Sequence, residues 1–566
     1  MKILVIGYYI SLIAFGISNS FGISLQSEFS LMQVDPGDTL LNNYFMEHTF
    51  KFLFDPKYTA RLWSPTFFYP YREVLAFSDN LFGTFPLYAM FRLISEPTVA
   101  FVLWEISLSI LNFSSLTYIL RKLKVHPILS GWGGFLFAFG MFRTAKINHP
   151  QLLPQFITPI TVYMTWIFLK NPSIKILIYC LLLLYWQILS GVYLGWFLCF
   201  GTLIFLIATL TLSHEIRKKL FSFLRKDIKK IITIFLCWLI LNLLTFFPYI
   251  KAKLILGSRS YDEVKLMIPR IQSWFSAPFE SNWFQWIGWI SKDLPARGEH
   301  FMFPGIIMTI LSIFFLSLLI KSKKQNSKLD IQTACLSTFL IIFCLSMYWP
   351  FIDISLWHFV YIFIPGASVI RAVARIWSIT HVYLIIGILV YLNSFLKNQN
   401  FCPKKLKYFL ILGISILGVY EQSFFKLAHF QKEIWFKEVS EIVEIISASQ
   451  CSSFYLYLNP QKPPFENHML AMWSGLYSNI PTINGYSGNS PKSYQGDNQT
   501  MSVQELREWL FLINRNSYQN FIHGDVCLVK PKILQSFDSL ELKNRVSEET
   551  MLVNTSENFL IYKLNK

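Results

Sequence analysis

The residues able to do chemistry fall in a few short stretches bordered by long apolar runs. Val34-Asp35-Pro36-Gly37-Asp38 sets two carboxylates on either side of a tight Pro-Gly turn. Phe77-Ser78-Asp79-Asn80 supplies a third. The stretch Arg143-Thr144-Ala145-Lys146-Ile147-Asn148-His149-Pro150 gathers two cations and an imidazole, and Arg297-Gly298-Glu299-His300 ends where an apolar run begins at Phe301. In Pro365-Gly366-Ala367-Ser368-Val369-Ile370-Arg371-Ala372-Val373-Ala374-Arg375 the arginines are four apart, which on a helix puts them on one face. Charged groups at the edge of a membrane are costly, so each stretch is a candidate for function. For Arg371 and Arg375 the chemistry is specific, because a planar guanidinium fork grips phosphate oxygens. Each stretch also has a plain structural reading. Asp38 and Asp79 precede apolar segments and suit N-caps. The arginines suit ion pairs with a neighbouring helix or contact with headgroups. A solvated loop accounts well for Arg297, and less well for Glu299 and His300 at the bilayer edge.

The elements that must position these residues are membrane spans. Of 566 residues, 53% are hydrophobic and only 15% charged, with a mean hydropathy of +0.42. A soluble chain of this size needs more charge to coat its surface. A crossing helix needs roughly 20 apolar residues. Such runs lie near 3–23, 98–120, 128–144, 152–169, 174–190, 192–212, 230–249, 302–320, 331–348, 376–396 and 406–421. The first run lacks a clear small-x-small cleavage site and reads as an anchor. The net charge of +17 does not point to nucleic acid. Lys and Arg concentrate in short connections at Arg121–Lys124, Lys170–Lys175, Arg217–Lys230, Lys321–Lys328 and Lys397–Lys407. With the N-terminus inside, all of these face the cytoplasm, as the positive-inside rule requires.

That orientation puts three larger segments outside: 24–97, 250–301 and the region after about residue 422. Within the first, Thr39 to Phe54 has helical spacing that suits a surface helix on the membrane. The last segment changes character. Cys451–Leu458, Asp525–Val529 and Phe559–Tyr562 read as strands. Residues 433–447 and 502–514 read as amphipathic helices, with Ser502 and Glu505 spaced as a capping box. The expected fold class is an all-α polytopic membrane protein with a small α/β C-terminal domain. Its expected division is a multispanning domain over 1–425 and an exoplasmic domain over 426–566. Cys451 and Cys527 both fall in the latter and suit a disulfide in an oxidising compartment. No CxxC spacing supports zinc.

The order and sidedness of these motifs resemble the GT-C superfamily of multispanning glycosyltransferases, particularly its YfhO-like and mannosyltransferase-like bacterial members. The resemblance is carried by Asp35-Pro-Gly-Asp38, Tyr69-Pro70, Ser78-Asp79, Asn148-His149 and Pro365-Gly366…Arg371…Arg375, with Ala471-Met-Trp-Ser474 and Ile483-Asn-Gly-Tyr-Ser-Gly488 in the tail. It implies sugar transfer from a polyprenyl-phosphate donor to a lipid, polysaccharide or protein acceptor at the outer face of the plasma or inner membrane. It further implies Asp38 as general base, with Asp35 second, and Arg371 and Arg375 on the departing phosphate. Asp79, His149, Glu299 and His300 would line the cavity. Metal use varies across the superfamily, and Asp38 with Asp79 would offer oxygen ligands to a divalent cation. The first loop departs from several members in lacking two adjacent acidic residues. Two other readings fit the spans: a transporter or flippase of lipid-linked saccharide, and a non-catalytic envelope assembly protein of the same fold. A transporter requires polar groups at mid-depth, where Glu105 and Gln187 are the main candidates.

Overall fold

The computed structural model describes residues 2–321, 329–398, 403–423, 427–492, 494–516, 525–536 and 550–564. The chain is mostly helical. It opens with α1 (Lys2–Gln26), a short strand β1 (Leu31–Gln33) and α2 (Asp38–Phe54). Next come α3 (Phe85–Arg92), α4 (Pro97–Lys122), α5 (Pro127–Phe139), α6 (Met141–Thr144), α7 (Ile157–Lys170), α8 (Ile174–Ser190), α9 (Val192–Leu212) and α10 (His214–Leu256). The second half holds α11 (Tyr261–Leu266), α12 (Phe284–Ile287), α13 (Ile306–Lys321), α14 (Ile331–Ser346), the hairpin β2 (Tyr348–Trp349) and β3 (Ile354–Ser355), α15 (Trp357–Phe363), α16 (Trp377–Asn398) and α17 (Lys404–Tyr420). The C-terminal region adds β4 (His429–Gln431), α18 (Lys432–Ala448), β5 (Ser453–Leu456), α19 (Pro464–Ser478), α20 (Val503–Asn516), β6 (Val526–Pro531), β7 (Thr550–Thr555) and β8 (Phe559–Leu564).

Among the described residues, six helical segments are long and apolar enough to cross a bilayer: Ile3–Gln26, Pro97–Lys122, Pro150–Lys170, Val192–Leu212, His214–Leu256 and Val373–Lys397. Four shorter apolar helices accompany them, at Ile174–Ser190, Ile306–Ile320, Ile331–Ser346 and Leu406–Tyr420. The chain is thus a multi-pass membrane protein. The run expected to span 128–144 behaves differently. It is a 13-residue helix, α5, followed after an extended Gly140 by the single turn α6. At 1.5 Å per residue, α5 by itself covers about 20 Å of a hydrocarbon core of about 30 Å, so the expected run is divided at Gly140 into two helical pieces. The basic run Arg217–Lys230 is also not a loop. Ser213 accepts the amide of Ile216 and starts α10, whose basic arm meets its apolar arm at a kink at Asp227. Residues 322–328 and 399–402, in two other basic connections, lie outside the described residues. The polar side chains expected at mid-depth close onto neighbours. Glu105 accepts from Gln33, and Gln187 donates to Pro154 O at 2.6 Å.

Opposite the basic turns, the first long loop and the C-terminal region form one body. β5 and β6 are parallel, and β8 and β7 complete an antiparallel edge in the order β5-β6-β8-β7. β7 had no sequence signal among the expected strands. α20 starts with the expected capping box: the Glu505 amide donates to Ser502 Oγ at 3.2 Å, and the Ser502 amide donates to Glu505 Oε2 at 2.7 Å. Cys451 and Cys527 are bonded, with Cα atoms 5.7 Å apart.

α2 does not lie on the membrane surface. Its residues from Thr39 to Thr49 are all buried, beneath α18 and α19. Leu40, Tyr44 and Phe45 share one core with Trp435, Val439, Met472 and Trp473, and Trp473 Nε1 donates to Leu40 O at 3.3 Å. The apolar side chains of α2 encircle it, so a single-sided membrane contact would leave half of them in water. β1 pairs antiparallel with β4, Met32 opposite Phe430, which joins the exit of α1 to the exit of α17.

Candidate active site

The loops at this end of the bundle converge on one polar network. Asp38 is the first residue of α2, and its side chain does not cap the helix. Its two oxygens instead meet side chains from two distant segments. His149 Nδ1 lies 2.7 Å from Asp38 Oδ2, and the Tyr486 hydroxyl donates to Asp38 Oδ1 at 3.0 Å. Asp35 does the local work: its Oδ1 accepts the Gly37 amide at 2.7 Å, which closes the turn that aims Asp38 inward. The side chain of Asp38 is 24% exposed, so it stays open to a small reactant.

Behind His149 sits a compact charge cluster. Arg375 grips Glu299 with both arms of its fork, Nε to Oε2 at 3.0 Å and Nη2 to Oε1 at 2.6 Å. Lys146 Nζ donates to the same carboxylate at 2.9 Å and to Gly298 O at 2.6 Å. His149 Nε2 is 3.7 Å from Glu299 Oε1, too long for a hydrogen bond. Arg143, the other cation of that loop, is a brace: it donates to Phe137 O at 3.0 Å and to Leu152 O at 2.9 Å.

The electrostatics separate the carboxyls. Burial pushes Asp38 up, but the His149 and Tyr486 hydrogen bonds and the Arg375 charge outweigh it and hold the group below the usual range. Asp38 is therefore ionised. Burial likewise opposes Glu299, and Lys146 and Arg375 overcome it by a wide margin. For Asp35, burial and the charge of Asp38 outweigh the Gly37 amide and His149, and the group is raised. Burial, with Arg375, lowers His149 despite its bond to Asp38. The neutral ring then donates from Nδ1 to the carboxylate.

The two arginines do not share a helical face. Residues 367–376 form two short 3-10 turns, Ala367–Val369 and Val373–Ile376, with Arg371 between them. The break falls at the extended Ile370 and at Ala372, whose amide donates to the Tyr193 hydroxyl at 2.7 Å; Gly366, at φ +83°, opens the first turn, where a Cβ would fall 2.9 Å from Trp196 Nε1, which donates to Pro365 O at 2.9 Å. Arg375 is consequently committed to Glu299. Arg371 is 40% exposed, and its nearest carboxylate, Glu263 Oε1, is 3.8 Å away. The same oxygen pairs with Arg259 at 2.9 Å, so two guanidiniums share one carboxylate and carry excess positive charge. The segment before Gly366, whose Tyr361 hydroxyl donates to Arg259 O at 2.6 Å, exposes Ile352, Phe359 and Phe363.

Two expected residues stand apart. Asp79 neither caps the segment after it nor meets Asp38. Its Oδ1 accepts the Tyr193 amide at 3.2 Å, at the N-terminus of α9, where the helix dipole favours an anion. Asn80 does the local capping, accepting from Phe82 N at 3.0 Å. Asp38 and Asp79, considered from sequence as a pair of oxygen ligands, are turned to different partners. No group of three or more His, Cys, Asp or Glu able to hold a metal ion occurs among the described residues. His300 is fully buried and held on both ring nitrogens, by Ser273 Oγ at 2.9 Å and Leu266 O at 3.0 Å. Burial pushes it down to about 4, and it supports the fold of the loop. Sequence reasoning missed Tyr486, Arg259 and Glu263. Tyr486 lay in the tail stretch Ile483–Gly488, which carried no assigned chemistry, and Arg259 had no signal beyond its charge.

No protein-family model matches the chain, and no curated protein matches it. Among solved structures it is similar to ArnT from Cupriavidus metallidurans. Against the apo state it has 9% sequence identity and a TM-score of 0.38, over 99% of this chain and 97% of that one. Against the form bound to undecaprenyl phosphate the values are 8% and 0.39, over the same shares. Likeness at this level assigns neither an activity nor a residue's role.

Proposed function

We propose that this chain is a membrane glycosyltransferase of the GT-C type, which moves a sugar from a polyprenyl-phosphate donor to an acceptor hydroxyl at the outer membrane face. The observation that carries the reading is that one short tail segment holds both an ionised, partly open carboxylate, Asp38, and a pair of guanidiniums with surplus positive charge, Arg259 and Arg371. Asp38 is the general base. It takes the proton of the acceptor hydroxyl as that oxygen attacks the anomeric carbon, so no raised pKa is needed. The carbon–oxygen bond to phosphate breaks, and the phosphate leaves with the electron pair. Arg371, joined by Arg259, stabilises the charge that develops there. Arg375 orients Glu299 and, through it, the loop that carries His149. The apolar surface exposed by the segment before Gly366 suits the polyprenyl chain. The closed environments of Glu105 and Gln187 give no support to a saccharide path through the bilayer.

Sidedness rests on three features. The basic connections lie opposite the chamber. The Cys451–Cys527 bond belongs in an oxidising compartment. The β1–β4 pairing holds the exit of α1 and the exit of α17 together, which puts the first long loop and the C-terminal region in one compartment. The N-terminus is then cytoplasmic and the C-terminal region exoplasmic.

The test uses purified protein, a panel of radiolabelled polyprenyl-phosphate sugars, and membrane lipid or polysaccharide as acceptor. Asp38→Asn is expected to lower transfer by at least about 100-fold with normal insertion and melting temperature, while Asp35→Asn loses far less. An Asp38→Asn protein with undiminished transfer sinks the assignment.

A further inference from the structure

We infer that the C-terminal segment 484–489 is an arch of the catalytic chamber, in which Tyr486 positions Asp38 and residues 488–489 position Arg259. The inference rests on the glycosyltransferase reading and adds to it the parts supplied by the tail. The arch is fastened at both ends. At its start, Asn484 Nδ2 donates to Leu456 O at 2.9 Å and its Oδ1 accepts the Leu456 amide at 2.6 Å, which ties it to β5. Asn484 O accepts the Phe68 amide at 3.0 Å. Gly485 lets the chain lie against Phe68; a Cβ would fall 2.3 Å from that ring. At its end, Asn489 Nδ2 donates to Phe77 O at 3.0 Å. Between these points Tyr486 leans on Phe465, with ring centroids 6.0 Å apart, and its amide donates to Met472 Sδ at 3.2 Å.

A segment held this way presents fixed groups to the chamber. The Tyr486 hydroxyl donates to Asp38 Oδ1 at 3.0 Å, while Gly488 O accepts from Arg259 Nη2 at 2.7 Å and Asn489 Oδ1 accepts from the same nitrogen. One short stretch thus touches both the proposed base and the proposed phosphate-side arginine. His149 holds one oxygen of Asp38 and Tyr486 the other. The other groups facing Asp38 are Arg375 and Asp35, with Glu299 and Lys146 behind His149 and Arg371 near the Tyr486 ring. Of these groups, Tyr486 is the one that belongs to the C-terminal region.

Tyr486→Phe removes the hydroxyl and keeps the ring packing on Phe465. Two measurements are made on the full-length protein in detergent. One is the pH–rate profile of transfer. The other, independent of turnover, is titration of the Asp38 carboxyl by infrared difference spectroscopy against Asp38→Asn. In Tyr486→Phe the melting temperature and donor KM are expected to hold and kcat to fall about tenfold. The acid limb of the profile and the Asp38 titration both move to higher pH, because a bond that favoured the ionised form is gone. Asn489→Ala, at the other foot, is expected to raise donor KM and leave the Asp38 titration in place. An Asp38 titration unmoved in Tyr486→Phe overturns the inference whatever the activity. If it moves while wild-type protein transfers no sugar from any donor, the Tyr486–Asp38 contact stands and the glycosyltransferase reading alone falls.

Discussion

Asp35 and Asp38 show how three residues of separation divide two identical side chains between turn and chamber. Asp35 spends its oxygen on the Gly37 amide; Asp38, one helix position in, has its own helix behind it and looks across to His149 and Tyr486. Glu299 makes a related point. It was a candidate for the cavity lining, and it is the counter-ion that lets Lys146 and Arg375 be buried together, with side-chain exposures of 13%, 4% and 11%. Removing its charge leaves two buried cations without a partner. Glu299→Gln is therefore expected to cost about 3 kcal/mol, read as a lowered thermal midpoint at neutral pH. Because the folded-state value lies well below 4.5, the stability from Glu299 is complete above that pH and is lost as pH falls toward the depressed value. The Gln variant is expected to lack that acid-side loss, which a series of melting curves between neutral and acidic pH will show.

At the scale of elements, local signals were read well where the element depends on its own residues. The capping box at Ser502 and Glu505 formed as spaced, and α18 runs over Lys432–Ala448 where an amphipathic helix was expected over 433–447. The failures were of environment. The helix after Asp38 exists, but a core supplied by α18 and α19 covers it. The Arg371–Arg375 stretch has helical spacing, yet the extended Ile370 and the Ala372 amide held by Tyr193 keep Arg371 outside the turn that carries Arg375. Cys451 and Cys527 illustrate a pairing that spacing permits and packing completes. Their bond closes a separation of 76 residues and ties the start of β5 to β6. Replacing both by Ser is expected to destabilise the C-terminal region by about 3 kcal/mol. Limited proteolysis of that region in intact membranes is expected to quicken, and cleavage at the wild-type rate would contradict this.

For the whole molecule, the arrangement is one-sided: basic turns at one end of the bundle, chamber and sheet at the other. In a background with the unpaired cysteines replaced by Ala, a membrane-impermeant maleimide added to intact cells is expected to label Gln461→Cys. It is expected to label Lys219→Cys only after permeabilisation, and the reverse pattern would invert the proposed topology. Membrane residence, the places of the apolar helices and the bias of Lys and Arg were all legible in the sequence. These follow from the composition of contiguous residues meeting lipid or water, which needs no knowledge of distant contacts. The sequence also marked Asp35, Asp38, His149, Glu299, Arg371 and Arg375 as costly where they stand. What each of them does was decided only by tertiary structure. His149 meets Asp38 from 111 positions away and Tyr486 from 448, and no local pattern encodes such a meeting. Whether a carboxylate faces a backbone amide, a buried cation or an open chamber depends on which loops the packed helices bring to the same end.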